Sequence, residues 1–165
     1  MRVSAGWADA QDMRIIRFGD QMNNVAVTDG DKVEAEMRLG YHVDYYPIAN
    51  LVALSNEVTD AEVAELVATY EKEYVIADEQ KKNEHFNHQV KEAAKAEIAL
   101  RRFLVAKGAK AFTTNFDDLA GIDQLPGLAC QRLMAEGYGF GAEGDWKTAA
   151  LYRTMWFMGQ GLPKG

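Results

Sequence analysis

Cysteine is nearly absent from this sequence. Cys130 is the single cysteine among 165 residues, so no intrachain disulfide can form. It lies in a segment that predicts a helix and is far in sequence from all three histidines. A catalytic thiolate needs a nearby base, so we interpret Cys130 as a small buried core residue. The lack of disulfides is compatible with a reducing cytoplasm.

Long apolar runs and positive charge are also scarce. No stretch of about 18 apolar residues occurs, so we expect no membrane-spanning segment. Residues 1–7 lack the apolar centre of a signal peptide. Lys and Arg number 18 against 25 Asp and Glu, which gives a net charge of -7. An acidic surface repels phosphate backbones, so we expect no nucleic-acid partner and no membrane partner.

Strand and helix signals alternate along the chain. Short runs rich in β-forming residues predict strands at 13–18, 41–46, 109–116 (with an exit loop) and 138–143. Apolar residues at helical spacing predict helices at 31–39, 48–56, from the Thr59–Glu62 capping box onward, 83–106, 125–136 and 146–158. This alternation is typical of a parallel sheet with helices on both faces. We therefore predict a three-layer, Rossmann- or flavodoxin-like α/β domain with a mainly parallel sheet of about four to five strands.

The two ends of the sequence do not fit this alternation. Residues 1–12 are interpreted as a linker or helix left over from a preceding domain. Residues 159–165, which read GQGLPKG, are interpreted as the start of a linker to a following domain. The predicted α/β domain then covers residues 13–158, and we expect the chain to be a piece of a larger protein.

A glycine motif lies between the last predicted strand and the last predicted helix. Residues 139–144 match G-x-G-x-x-G, which suggests dinucleotide binding with the pyrophosphate at the helix N-terminus. Against this, the motif is in the last strand–helix turn, and no ribose-binding acid follows about 20 residues later. The same segment can instead present one carboxylate, Glu143, to a ligand at the carboxyl edge of the sheet. Alternatively, Glu143 only lies at the N-terminal end of the following helix and binds no ligand. Spacing alone does not favour either of these two interpretations.

Other groups of residues could also bind a ligand. His85 and His88 lie three residues apart on one helix face, as metal ligands can, but exposure on a highly charged helix is the simpler interpretation. His42, in a predicted strand, has no obvious partner. Residues 17–22 lie at the end of the first predicted strand, where Gly19 permits a tight turn and Met22 could line a pocket. Residues 113–118 follow the third strand and could recognise a polyol through hydroxyl, amide, aromatic and carboxylate groups. Ordinary turn and cap chemistry is the simpler explanation of both segments.

Several segments together resemble the L-arabinose isomerases, most of all actinobacterial members of that family. They are, in order, 17–22 (RFGDQM), 25–35 (VAVTDGDKVEA), 113–119 (TTNFDDL), 124–129 (QLPGLA) and 136–151 (EGYGFGAEGDWKTAAL). Their order and spacing fit the family over nearly the whole chain, and such long motifs are more specific than the glycine pattern. The chain resembles a fragment, the central α/β domain, of such an enzyme.

The resemblance implies an aldose–ketose isomerase that interconverts L-arabinose and L-ribulose and, more slowly, D-galactose and D-tagatose. In the family, two glutamates and two histidines surround the sugar and a divalent metal, usually manganese. The glutamates move a proton between C1 and C2 through an enediol. Glu143 matches one of them, which implies a catalytic and metal-binding role, and Met22 and Phe116 match residues of the sugar pocket. The other metal-site residues would lie beyond Gly165.

The resemblance also implies a cytoplasmic homohexamer with sites shared between subunits. Because one carboxylate cannot hold a manganese ion tightly, we expect this chain alone to bind Mn²⁺ weakly and to be inactive. Two alternative hypotheses are a nucleotide-binding Rossmann module that uses residues 139–144 and a non-catalytic oligomerisation module.

Overall fold

Four parallel strands form one sheet within residues 1–162, the part of the chain that this computed structural model describes. They are β1 (Met13–Phe18), β2 (Tyr41–Tyr46), β3 (Ala111–Thr114) and β4 (Gly139–Gly141), in the spatial order β2-β1-β3-β4. In register, Arg17 of β1 lies beside Tyr45 of β2 and Thr113 of β3, and Thr113 lies beside Gly141 of β4. The predicted α/β fold with a parallel sheet is confirmed.

Helices cover both faces of the sheet. Within residues 1–162 they are α1 (Arg2–Ala10), α2 (Lys32–Leu39), α3 (Ile48–Asn56), α4 (Asp60–Glu73), α5 (Asp78–Lys81), α6 (Glu84–Lys107), α7 (Gly127–Ala135) and α8 (Trp146–Gly159). Side chains of α3, α6 and α7 pack on one face of the sheet, and those of α1, α2 and α8 on the other. None of the helices in this range combines the length and the apolarity needed to cross a bilayer.

Alternate residues of each strand enter the two cores. Ile16 and Phe18 point to the α6 side, whereas Met13 and Ile15 point to the α8 side. This alternation follows from the two-residue period of a strand, and burial on both faces explains why β1 reads as a nearly continuous apolar run. Cys130 is buried in the α6-side core, as predicted.

Local signals in the sequence explain where several helices begin and end. The capping box at α4 is present in both directions: the N–H of Glu62 donates to Thr59 Oγ1 at 3.4 Å, and the N–H of Thr59 donates to Glu62 Oε2 at 2.9 Å. Gly108 ends α6 in the left-handed conformation, with φ of 61°. The single-turn helix α5 was not predicted, since its four residues are too few to show a helical period.

The prediction for the last strand was wrong in its length. It covered residues 138–143, but β4 contains only Gly139–Gly141. The chain leaves the sheet because Glu143 has a φ of 63°, in the left-handed region, and the N–H of Gly144 donates to the carbonyl of Thr114 at 3.0 Å. Glu143 therefore lies in a turn beyond the strand.

The first helix packs along the last one. Arg2 Nη1 donates to the carbonyl of Met158 at 2.9 Å, and Arg153 Nε donates to Asp9 Oδ2 at 2.8 Å. These contacts place α1 and α8 antiparallel in one layer. The assignment of residues 1–12 and 159–165 to linkers of neighbouring domains stays a prediction, and residues 163–165 lie outside the described part of the chain.

Candidate functional site

The order of the strands creates a crevice at the carboxyl edge of the sheet. After β1 the chain forms β2 on one side of it and then crosses to form β3 on the other. The loops that leave β1 and β3 therefore diverge, and open α/β sheets bind their ligands at such a point. Residues 19–22 leave β1 and residues 115–116 leave β3, so Met22 and Phe116 lie at this edge. Residues 142–144, with Glu143, leave the neighbouring strand β4.

Hydrogen bonds join these three exit loops. The N–H of Met22 donates to the carbonyl of Glu143 at 3.4 Å, which joins the loops after β1 and β4. Asn115 Nδ2 donates to the carbonyl of Asp20 at 2.8 Å, which joins the loops after β3 and β1. The three candidate residues, which are distant in sequence, are thus held on adjacent loops.

Glu143 has an unusual backbone and an accessible side chain. Its φ of 63° lies in a region that residues other than glycine seldom adopt, so the surrounding loops must hold it there. Its side chain is partly exposed and makes no hydrogen bond or ion pair within residues 1–162. A Cβ on the next residue, Gly144, would lie 2.8 Å from Gln21 Cα, so only glycine permits this close approach. The carboxylate is therefore free to contact a ligand.

Phe116 and Met22 provide apolar surface near this carboxylate loop. Phe116 is 48% exposed, and Met22 is partly buried. The N–H of Asp117 donates to Asn115 Oδ1 at 2.8 Å, and this turn brackets Phe116. An exposed aromatic ring and a thioether suit the C–H face of a sugar better than they suit a charged ligand.

The glycines of residues 139–144 are needed for packing. A Cβ on Gly139 would lie 2.0 Å from the carbonyl oxygen of Ala149, and one on Gly141 would lie 2.2 Å from that of Asp145. The Asp145 carboxylate also accepts the first free N–H groups of α8, at 3.1 and 3.0 Å. A pyrophosphate would need the space beside these glycines and the free N–H groups at the start of α8. Because the protein already uses both, the geometry does not support the dinucleotide hypothesis.

The histidines lie apart from this edge. His85 and His88 are exposed on α6. His42 has partners that the sequence did not indicate: its ring nitrogens lie 3.5 Å from Asp12 Oδ1 and 3.4 Å from Glu36 Oε1. Within residues 1–162, no three His, Cys, Asp or Glu side chains converge in a way that could hold a metal ion. The donor set of this chain alone therefore does not fit manganese.

Sequence reasoning included Arg17 in the candidate segment 17–22 but gave it no role. It stands between the apolar residues Ile16 and Phe18. The guanidinium is 2% exposed, and its Nη2 lies 2.7 Å from Asp20 Oδ1 and 2.6 Å from Gln21 Oε1. The available signal was a charged residue between two apolar residues near the end of a mostly apolar strand, because a buried charge needs partners.

Comparison with known proteins identifies the family. Residues 14–161 match the model of the L-arabinose isomerase central domain. The whole chain is 66% identical to 34% of the L-arabinose isomerase of Bacteroides thetaiotaomicron, 52% identical to 33% of that of Tolumonas auensis, and 51% identical to 33% of that of Mycolicibacterium smegmatis.

Of these three relatives, the Bacteroides protein has the highest identity. The chain spans about a third of the length of the curated relatives that it matches. With the match to the domain model, these identities establish that the chain belongs to the L-arabinose isomerase family and corresponds to its central domain.

Proposed function

We propose that the full-length protein containing this chain converts L-arabinose to L-ribulose, and that this domain supplies one wall of the active site. One observation carries the proposal: Met22, Phe116 and Glu143 lie on hydrogen-bonded loops at the crevice of the sheet. The names of the relatives support the substrate. We extend the proposal to the slower conversion of D-galactose to D-tagatose, which changes the same two carbon atoms.

The chemistry needs one proton to move between neighbouring carbons. The aldose carries a hydrogen on C2 and an aldehyde at C1, and the ketose carries a ketone at C2 and a second hydrogen on C1. A base that takes the C2 proton leaves an enediolate, which becomes the enediol when O1 gains a proton. Return of a proton to C1 and loss of the O2 proton then give the ketose, so that one proton moves from C2 to C1 and one from O2 to O1. The Glu143 carboxylate is the group that exchanges this proton. Met22 and Phe116 cover the apolar side of the sugar and limit the access of water.

We propose that Glu143 is also the one metal ligand that this domain contributes. Manganese sites use several oxygen or imidazole ligands, so the rest of the full-length protein must supply the others. The 165-residue chain is therefore expected to form no detectable L-ribulose from L-arabinose, with or without added Mn²⁺. Product formed by this chain alone would contradict the division of the site between domains.

The test is a Glu143→Gln substitution in the full-length protein, assayed by the rate of L-ribulose formation. Glutamine keeps the size of the side chain but cannot take up the C2 proton, so we expect kcat to fall about 10²–10⁴-fold. Glu65→Gln is the matched control, because Glu65 is an exposed glutamate of α4, a helix with no part in the proposed site or assembly. Wild-type protein without isomerase activity, or a Glu143→Gln variant as active as the control, would refute the proposal.

We further propose that the full-length protein is a cytoplasmic homohexamer. Large apolar side chains are exposed on α2 and α8, which supports further protein contacts on these helices; they are Val33, Met37, Leu151 and Met155. Native mass spectrometry of the full-length protein measures the number of subunits directly, and a monomeric mass would contradict the assembly.

A further inference from the structure

Arg17 is a buried charge whose partners all lie in one loop. The side chain is 2% exposed, and removing a guanidinium from water is costly unless other groups bind it. Nη2 binds Asp20 and Gln21, at 2.7 and 2.6 Å, and Nη1 lies 3.8 Å from Asp29 Oδ1. These three partners belong to the segment that follows β1.

The carboxylates that bind Arg17 do not depend on it, because they are exposed to water. The side chain of Asp20 is 74% exposed and that of Asp29 is 49% exposed, so water would solvate both carboxylates without it. Arg17, in contrast, is fixed by the strand and by its burial. The contact therefore holds the loop to the sheet.

The part of the loop that Arg17 binds is the part that supports Glu143. The carbonyl of Asp20 accepts the hydrogen bond from Asn115. The backbone of Gln21 packs directly against Gly144, the residue after Glu143. The next residue, Met22, donates its N–H to the carbonyl of Glu143. A shift of this loop would remove the support on which the left-handed backbone of Glu143 depends.

We propose that Arg17 is a positioning residue of the isomerase site: its guanidinium fixes Asp20 and Gln21, and through them Met22 and the Glu143 backbone. Arg17 is too deeply buried to touch a sugar, so it acts only through these residues. The effect on catalysis rests on the proposed function, whereas the anchoring of the loop does not.

The kinetic test compares Arg17→Met, Arg17→Lys and Arg14→Met in the full-length protein. Since a misplaced catalytic group can cost about 10²-fold, we expect Arg17→Met to lower kcat about 10–100-fold and to change KM for L-arabinose much less. Arg17→Lys keeps the charge but loses the planar fork, and its kcat should lie between those of wild type and Arg17→Met. Arg14 is the control, because it lies near the other end of the same strand and pairs with Asp44 of β2. Arg14→Met should keep kcat within about threefold of wild type, since exposed ion pairs contribute little.

A second readout does not depend on activity. Amide hydrogen exchange should become at least about tenfold faster at Met22 and Gly144 in Arg17→Met, with no change in α6 or in Arg14→Met. If Arg17→Met does not fold, Gln21→Met removes one of the contacts of Arg17 from the loop side and should accelerate exchange of the same two amides.

The outcomes separate the two proposals. Wild-type protein without isomerase activity would refute the proposed function, and the exchange rates would still decide the role of Arg17. Unchanged exchange at Met22 and Gly144, or an active Arg17→Met enzyme with normal kcat, would overturn the assignment of Arg17.

Discussion

Two glutamates of this chain have opposite surroundings. Glu97 is 1% exposed and accepts hydrogen bonds from Tyr70 Oη at 2.7 Å, Arg101 Nη2 at 3.0 Å and Arg132 Nε at 3.2 Å. Glu143 is partly exposed and has no side-chain partner within the described residues. A carboxylate whose oxygens are occupied by other side chains stabilises the fold, whereas one without partners at a sheet edge is available to a ligand.

The surroundings of Glu97 extend over three helices. Arg132 of α7 also binds Glu73 of α4, and Arg101 of α6 also binds Glu136 after α7. Burial and the neighbouring Glu97 carboxylate raise the pKa of Tyr70 above its ordinary value of 10.0, so the phenol stays a hydrogen-bond donor. Perturbed, buried groups often mark catalytic sites, but here they connect helices. Accessibility distinguishes the two glutamates.

The largest difference between the two glutamates should be in stability. We expect Glu97→Gln to lower the free energy of unfolding by roughly 3 kcal/mol, at the lower end for a broken buried ion pair, because Arg101 and Arg132 keep their second glutamates. Glu143→Gln should change it by less than about 0.5 kcal/mol, since it removes no side-chain contact. Urea denaturation of the 165-residue chain measures both values. Equal losses in the two variants would contradict the distinction.

A smaller effect is expected from the tyrosine that binds Glu97. Tyr70→Phe removes one hydrogen bond to a charged acceptor, worth about 1.5–3 kcal/mol, and we expect about 1.5 kcal/mol because Glu97 keeps both arginines. Tyr74→Phe is the control, since the Tyr74 hydroxyl only accepts a long 3.3 Å bond from Arg132 and its side chain is exposed. Urea denaturation of both variants measures the difference. If Tyr74→Phe cost as much as Tyr70→Phe, the burial of Glu97 would not explain the stability of this region.

The sequence predicted the elements of the fold better than their contacts. Strands and helices are determined by patterns over a few neighbouring residues: the spacing of apolar residues, capping residues and glycines. The alternation of strands and helices, and with it the parallel sheet, could therefore be predicted. The early end of β4 could not, because a left-handed φ at Glu143 depends on loops that are distant in sequence. Two of the three partners of Glu97, Tyr70 and Arg132, are likewise 27 and 35 residues away from it, beyond the range of any local pattern.

The candidate site was predicted in a different way. Spacing alone left two interpretations of Glu143 open, and it favoured ordinary turns around Met22 and Phe116. The resemblance to a family singled out these residues, and the strand order then placed their loops at one edge. The role of Arg17 was missed because it depends on a side chain reaching forward to its own exit loop, which neither spacing nor resemblance reveals.

Cys130 extends the comparison to a buried titratable group that is not part of an ion pair. Burial raises the pKa of the Cys130 thiol from its ordinary value of 9.0 to about 12. Between these values the unfolded chain loses the thiol proton while the folded chain keeps it. The unfolded state then binds fewer protons, so the free energy of unfolding must fall as the pH rises.

The expected loss is about 1 kcal/mol between pH 8 and pH 10, relative to a Cys130→Ala variant in which this proton is absent. The measurement is a pair of urea denaturation series at pH 8, 9 and 10, because the difference between the two proteins cancels the titration of every other group. A difference that stays constant over this range would mean that the thiol is as accessible to water in the folded chain as in the unfolded one. Cys130 would then resemble Glu143 rather than Glu97, and burial in the α6-side core would no longer separate structural from reactive groups in this domain.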